Sequence, residues 1–573
     1  MRAQVQGTDV TGHARGGIRL APGGTRPALV ALLAVVLAAG LIGYAVAHRR
    51  AATDAGGGEP AGAQAPRTVT LKAGDDLQRA LDAARPGDTL VLQAGATFVG
   101  PLTLPRKGGG EYVTVRSSAL ERLPPEGARV RPSDAASMPK IVSPGRGEPA
   151  LKTSPGAHHY RFVGVEFATR GPADVAYDLL KLGADDRTQA TAESVPHHLV
   201  FDRCYVHAHP AQSLKRGIAL NSAETSIINS HVSGFKVAGQ DAQAVAGWNG
   251  PGPFRIVNNY LEAAGENVLF GGATPTLPGL VPSDIEVRRN HLAKDPAWFN
   301  RHPSYAGARW SVKNIFELKS ARRVVVDGNL FEYNWTDAQA GYAIILTPRP
   351  NDSGAAAVVE DVEFTNNIVR HVAAVFHIAG QDDLSGTPKA RLLRRVHIAN
   401  NLFDDVSGER WAGDGAFLKI GQSADHVTVD HNTVLHTGNV TKAYGDPSAN
   451  FVFTNNLLAH NDYGVMGGDA QPGLLTLSTY FPGHSFRRNV LAGDSPYVVN
   501  HERWYPRDNF FPARLDAALF VDPAGGNYRL RPASPYARAA TDGRAVGCDF
   551  DALEAAGATR AAAGRAGASP SLR

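Results

Sequence analysis

The chain is short of cysteine. Its 573 residues include two, Cys204 and Cys548, too few for a disulfide framework and without metal-ligand spacing. Cys204 lies in the strand-like run VFDRCYV and is expected to act as a small buried apolar side chain. A dominant charge is also missing. Charged residues make up 20% of the chain, and 58 Lys+Arg against 54 Asp+Glu leave a net +4. Much of that small excess sits near the N-terminus and in the Arg/Ala-rich tail after Glu554. There is no clustered basic face with interleaved aromatics, so a nucleic-acid footprint is excluded.

One long apolar run stands out. Ala28 to Ala47 is a stretch of 20 residues without a charge, long enough to span a bilayer. Arg2, Arg15, Arg19 and Arg26 precede it, and Arg49 and Arg50 follow. The tripeptide Ala45-Val46-Ala47 fits a signal-peptide cleavage site, but arginines just beyond it disfavour cleavage. We read the run as an uncleaved membrane anchor behind a short basic cytoplasmic tail, residues 1–27, with a cleaved signal as the alternative. Either reading exports the remainder, as a single-pass extracytoplasmic domain or as a secreted or periplasmic protein. Residues 48–66 are Gly/Ala/Pro-rich and read as a flexible linker.

Beyond the linker the dominant feature is repetition. Eight times a short strand runs into an asparagine and out into an apolar pair, as in RIVNNYL, VVDGNLF and HIANNLF. The anchoring residues are Asn259, Asn290, Asn329, Asn367, Asn401, Asn432, Asn456 and Asn489, with successive gaps of 31, 39, 38, 34, 31, 24 and 33 residues. Self-similarity on this scale marks a stacked solenoid, and branched residues alternating with polar ones make each unit strand-like. Asparagine suits such a stack because its side chain bonds backbone or another asparagine one rung away and tolerates left-handed turns. The expected fold is all-β, a parallel β-helix.

The ends of the solenoid need covers. Asp75 or Asp76 can cap a short helix whose Leu77, Leu81 and Ala84 share one face, and Pro86-Gly87-Asp88 stops it before a strand at Thr89–Leu92. That helix is expected to close the N-terminal end. Coils are expected from about Tyr112 to Leu491, with Asn500 to Leu553 as the opposite cap and a disordered tail over 554–573. The domain so bounded covers residues 67–553.

The helix with its Pro-Gly-Asp stop and the asparagine ladder together resemble the pectate-lyase-like superfamily of right-handed parallel β-helices. The closing stretch FVDPAGGNYRLRPASPYARAATDGRAVGCDFDAL is similar to the end of many bacterial members. The superfamily holds lyases, hydrolases, epimerases and proteins without known activity, so the resemblance speaks for fold before chemistry.

Within it, the calcium-dependent chondroitinase B and alginate lyase branch is the most similar, through the segment Asn314-Ile-Phe-Glu-Leu-Lys-Ser320. On a strand Phe316 and Leu318 face one way while Glu317 and Lys319 face the other. The resemblance implies that Glu317 helps hold Ca²⁺, that Glu266 and Asn267 one coil earlier supply further ligands, and that Lys319 is the base. It implies Arg349, one coil later and between Pro348 and Pro350, as a second catalytic cation. Such a set serves β-elimination: charge gathers on a uronate carboxylate as its neighbouring proton leaves, and cations there neutralise it. The strand holds one acid where a stronger calcium site would have two. A solvated Glu317–Lys319 ion pair is the competing reading.

Aligning the inward residues Leu318, Leu346, Ile378 and Ile420 puts Glu317, Ile345, His377 and Lys419 in one outward column. His377 is then a candidate acid or base and Lys419 a substrate contact. The loops holding Trp248 and Asn249, and Trp335, Asp337 and Gln339, combine an indole with amides and acid, which suits sugar binding. The alternatives are a non-catalytic β-helix that binds or organises envelope polysaccharide, and a glycoside hydrolase using Asp382 and Asp383. The Gly-His-Gly and Arg-Ile-Lys elements of polygalacturonases and the Asp-Pro-His-Asp of mannuronan epimerases are absent. The expected partners are an acidic polysaccharide and, through the N-terminal helix, a membrane. The chain is expected to act as a monomer.

Overall fold

A computed structural model describes residues 65–171, 177–349, 357–382, 392–497 and 500–559. The apolar run Ala28–Ala47, with the tail and linker beside it, lies outside the described residues. Among these, no helix is long and apolar enough to cross a membrane.

Three parallel sheets of 14, 12 and 13 strands run the length of the solenoid. The chain visits them in rotation: His158–Val163 joins the first, Glu166–Thr169 the third and Asp178–Leu182 the second, and His197–Asp202 returns beside His158–Val163. The architecture is thus the expected parallel β-helix. Coiling begins earlier than expected, because Thr68–Leu71 already pairs with Thr89–Leu92.

The asparagine ladder is continuous. Asn259 Nδ2 donates to Asn290 Oδ1 at 3.0 Å, and the same contact links each successive pair to Asn489. Asn489 in turn donates to Asn509, a ninth rung hidden from the repeat pattern because no coil follows it. Every ladder carbonyl also accepts the backbone N–H of the preceding rung, so each buried side chain is saturated. The left-handed residue, however, is the one before each rung: Asn258, Arg289, Gly328, Asn366 and Asn400 have φ of +53° to +65°. Asn367→Ala strands a buried donor and acceptor and is expected to destabilise the fold by about 3 kcal/mol, read in denaturant unfolding. A loss under 1 kcal/mol would show the ladder to be ornamental.

The N-terminal helix, Leu77–Ala83, sits as expected. Asp76 caps it by accepting the Arg79 N–H, and Leu77 and Leu81 are buried. The far end differs from expectation. Phe481, Tyr505 and Phe511 close the core, while residues 515–559 fold back along the outside of the third sheet. The reason lies in the residue after each ladder asparagine. Leu330, Ile368, Leu402, Leu457 and Val490 point outward in one column, and Phe520, Phe550 and Leu553 cover them. The covering helix is Phe550–Ala556, so the tail expected from residue 554 starts inside a helix.

Three buried imidazoles give the fold a pH signature. Burial pushes His377, His436 and His460 down to about 4. An unfolded chain binds those protons near pH 6.5, so stability is lost as pH falls from there towards 4. The thermal midpoint should drop through that window, and a flat profile would contradict it.

Candidate functional site

The second sheet carries the polar chemistry on its outer face. Its register confirms the column read from sequence: Glu317 pairs with Ile345, Ile345 with His377 and His377 with Lys419. Lys442 extends it by one coil. Phe316 and Leu318 are buried in the core, so Glu317 must face outward, yet its side chain is only 4% exposed.

A chain of charges explains how it is accommodated. Arg216 donates to Asp178 at 2.6 Å and to Gln243 at 3.2 Å; Gln243 then donates to Glu266 at 2.9 Å. Lys313 lies 2.7 Å from Glu266 and 3.0 Å from Asp241. Lys319 lies 3.3 Å from Glu317 and is 11% exposed. Burial, opposed by Lys319, pushes the Glu317 carboxyl well above the usual carboxylate range. Lys313 is raised despite its burial, because Glu266 and Glu317 both hold its proton. Glu317 Oε2 is buried without a hydrogen-bond partner.

Behind this face sits Lys294, fully buried. Its ammonium bonds the carbonyls of Ala263, Ala264, Gly265 and Asn314 at 2.6–3.1 Å, and Asn267 Oδ1 at 3.3 Å. Burial drags it down to about 7. The cage ties the segment before Glu266 to the segment before Glu317, so Lys294 positions both acids.

These contacts decide how the site fits calcium. Asn267 gives its amide to the Leu261 and Ala293 carbonyls and its oxygen to Lys294, so it faces away from the two acids' lysines. Glu266 is engaged by Lys313, and Glu317 by Lys319. Ca²⁺ needs six to eight oxygens, and each of the two carboxylates is already paired with an ammonium. The expected donor set Glu266, Asn267 and Glu317 does not fit calcium as arranged.

Arg349 follows Lys319 one coil on: its N–H donates to the Lys319 carbonyl at 3.0 Å, and its half-exposed guanidinium lies 3.5 Å from Asp382. Asp383 and Pro350 lie outside the described residues. Arg349, Ser320, Gly272 and Trp248 line one small cleft. Trp248 stacks its indole on Arg216, 4.7 Å from the guanidinium. Asn249 is spent on structure, donating to Ala184 O and Thr276 Oγ1 and accepting from Thr276 N. It is therefore a loop anchor and not the sugar contact expected from sequence.

At the opposite edge of the strands lies a cavity of about 230 Å³ lined by Trp298, Trp310, Trp335, Arg301, Arg309 and Asp337. Trp335 stacks on Phe299 at 4.9 Å, and Asp337 pairs with Arg309 at 2.7 Å and accepts the Val312 N–H. Gln339 Oε1 is buried without a partner. Val312 precedes Lys313, so Asp337 ties the wall of this cavity to the Lys313–Glu266 pair.

His377 stands two coils beyond Glu317, its Nε2 2.8 Å from the Tyr444 hydroxyl. Burial and the Lys419 ammonium push the imidazole down to about 4, and burial pushes Tyr444 up to about 12. At neutral pH His377 is uncharged and shares a hydrogen bond with Tyr444, which removes the imidazolium acid from its expected role. Lys419 lies over the Tyr444 ring at 4.8 Å.

Asp178, Arg216, Lys294 and Lys313 escape a reading of the sequence, because each is one charge in an unremarkable setting. Lys313 had the best signal, three residues before Phe316, which starts the inward alternation.

No protein-family model matches the chain, and no curated protein does. Solved structures do resemble it. The family PL6 alginate lyase AlyGC is 14% identical with a TM-score of 0.47, covering 77% of this chain and 53% of its own. The chain thus spans about half the length of that lyase. The fold is a three-sheet parallel β-helix. The GH87 α-1,3-glucanase of Streptomyces thermodiastaticus is 14% identical at TM-score 0.43, covering 76% and 70%. The PL6 lyase Pedsa3628 of Pseudopedobacter saltans is 12% identical at 0.38, covering 84% and 99%. Lyases and a hydrolase stand side by side in this set, and at these similarities they bear on neither reaction nor substrate.

Proposed function

We propose that this β-helix cleaves an acidic polysaccharide by β-elimination, on the outer face of the second sheet. The observation that carries the reading is two buried ion pairs, Glu266–Lys313 and Glu317–Lys319, on a face where ion pairs are ordinarily solvated. Withholding solvent from four charges is costly, and sites that bear the cost are functional candidates.

In this reading Arg349 receives the uronate carboxylate and meets the charge that gathers there. Lys319, 3.3 Å from the Glu317 carboxyl, supplies the base as its free amine. The amine takes the proton beside the carboxylate, the C–H electrons form the new double bond, and the glycosidic C–O bond breaks. The ammonium so formed returns the proton to the departing oxygen. Calcium is assigned no step. Lys313, paired with Glu266, holds that acid's charge in place. The Trp335–Trp310 cavity suits a sugar ring, and Lys419 and Lys442 suit further carboxylates, since coils about 4.8 Å apart match the spacing of sugars along a polymer.

The test is a panel of uronate polymers, each with calcium or chelator, followed by absorbance of the unsaturated product. Product insensitive to chelator is expected. New reducing ends without absorbance would make the protein a hydrolase, and binding without either would make it a binder. Gly272 gives a subtler check. Its φ is +83°, and an added Cβ would meet Lys319 Cδ at 3.0 Å. Gly272→Ala should displace the amine and lower kcat by about tenfold or more, and unchanged turnover would remove Lys319 from the chemistry.

We further propose that residues 28–47 anchor the chain and place the β-helix outside the cytoplasm. Protease added to intact cells should digest the β-helix, and protection would refute that placement.

A further inference from the structure

Away from that face, two His-His pairs meet on the first sheet. His158–His159 and His197–His198 open strands one coil apart, with His158 in register with His197. Strand neighbours normally point to opposite faces. Here His159 and His198 are left-handed, with φ of +58° and +54°, and the alternation fails. Each pair therefore converges: Nδ1 to Nδ1 is 2.8 Å within the first pair and 2.6 Å within the second. Across coils the rings stack at 4.8 Å and 4.3 Å.

Ligand atoms of His159, His197 and His198 all lie within 4.8 Å of one another. Glu224, on the next coil, brings Oε2 to 2.7 Å from His198 Nε2. A cavity of about 490 Å³, lined by Val195, Pro251 and Leu277 among others, opens onto His197 and Glu224. Burial and the neighbouring imidazoles push His159 down to about 4 and lower His197, so both offer lone pairs at neutral pH.

We propose that His159, His197 and His198, with Glu224, bind a divalent transition metal of the zinc type. Three imidazoles and a carboxylate suit such an ion, and the set lacks the many oxygens that Ca²⁺ or Mg²⁺ would need. Zinc bound at about 2.0 Å wants its nitrogens roughly 3.3 Å apart, so modest ring rotations close the site. The same corner is left-handed on later coils, at Glu224, Asp284 and Arg323; at these two coils it makes imidazoles converge, which is what a metal would use. The cavity leaves one position of the ion approachable.

The test uses the full chain without a histidine tag, stripped of metal and titrated with zinc chloride in a calorimeter. About one equivalent is expected at micromolar affinity or tighter. His159→Asn with His198→Asn, which keeps side chains that tolerate left-handed backbone, should weaken it roughly thirtyfold or more. X-ray absorption at the zinc edge of the unsubstituted protein should count at least two imidazoles, and needs no variant to fold. Less than stoichiometric binding, equal affinity in the double variant, or fewer than two imidazoles would overturn the site.

Discussion

Lys319→Ala should lower the rate of unsaturated-product formation by about 10²- to 10⁴-fold, the usual worth of a positioned base. The fold should survive, because Lys319 follows the inward pair Phe316 and Leu318 and packs against Gly272, not within the core. Lys319→Arg is the more telling variant. Arginine keeps the charge beside Glu317 but cannot give up its proton. If Lys319 only binds polyanion, arginine restores function; if it takes a proton, arginine is as inactive as alanine. Full activity in the arginine variant would end the proposed role. Substrate affinity measured alongside separates lost chemistry from lost binding.

The second large effect is expected at Lys294. Lys294→Met keeps the length and removes the ammonium from a cage of four backbone carbonyls and Asn267. Each buried acceptor left dry costs about 1–3 kcal/mol, and after relaxation the whole change should destabilise the protein by about 4 kcal/mol. Lys294→Arg should not rescue, since a planar fork does not fit a cage built around a compact ammonium. The site should suffer with the fold: the Gly265 and Asn314 carbonyls that Lys294 holds lead directly to Glu266 and Glu317. A methionine variant as stable as the unsubstituted chain would mean that the cage does not hold the coils together.

The sequence by itself determined the architecture and its register. Ladder asparagines must be buried and paired, and a strand's two-residue period leaves no freedom once Leu318, Leu346, Ile378 and Ile420 are inside. Glu317, His377 and Lys419 therefore fall into one column by the strand period alone. The same logic located the capping helix. Tertiary structure decided the rest, because burial on the outer face depends on what loops and later segments cover it. Glu317 reads as solvated in a strand pattern and is enclosed in fact. Asn267 and Glu266 are adjacent in sequence, yet one serves the cage behind the sheet and the other the charge chain in front of it. Lys313 and Lys294 come from turns, where no period constrains direction, and only packing shows that one stands where a cation was expected and the other beneath it. The C-terminal segment covers the third sheet for the same reason: the apolar column it hides is visible in the repeats, but what hides it is a matter of three-dimensional closure.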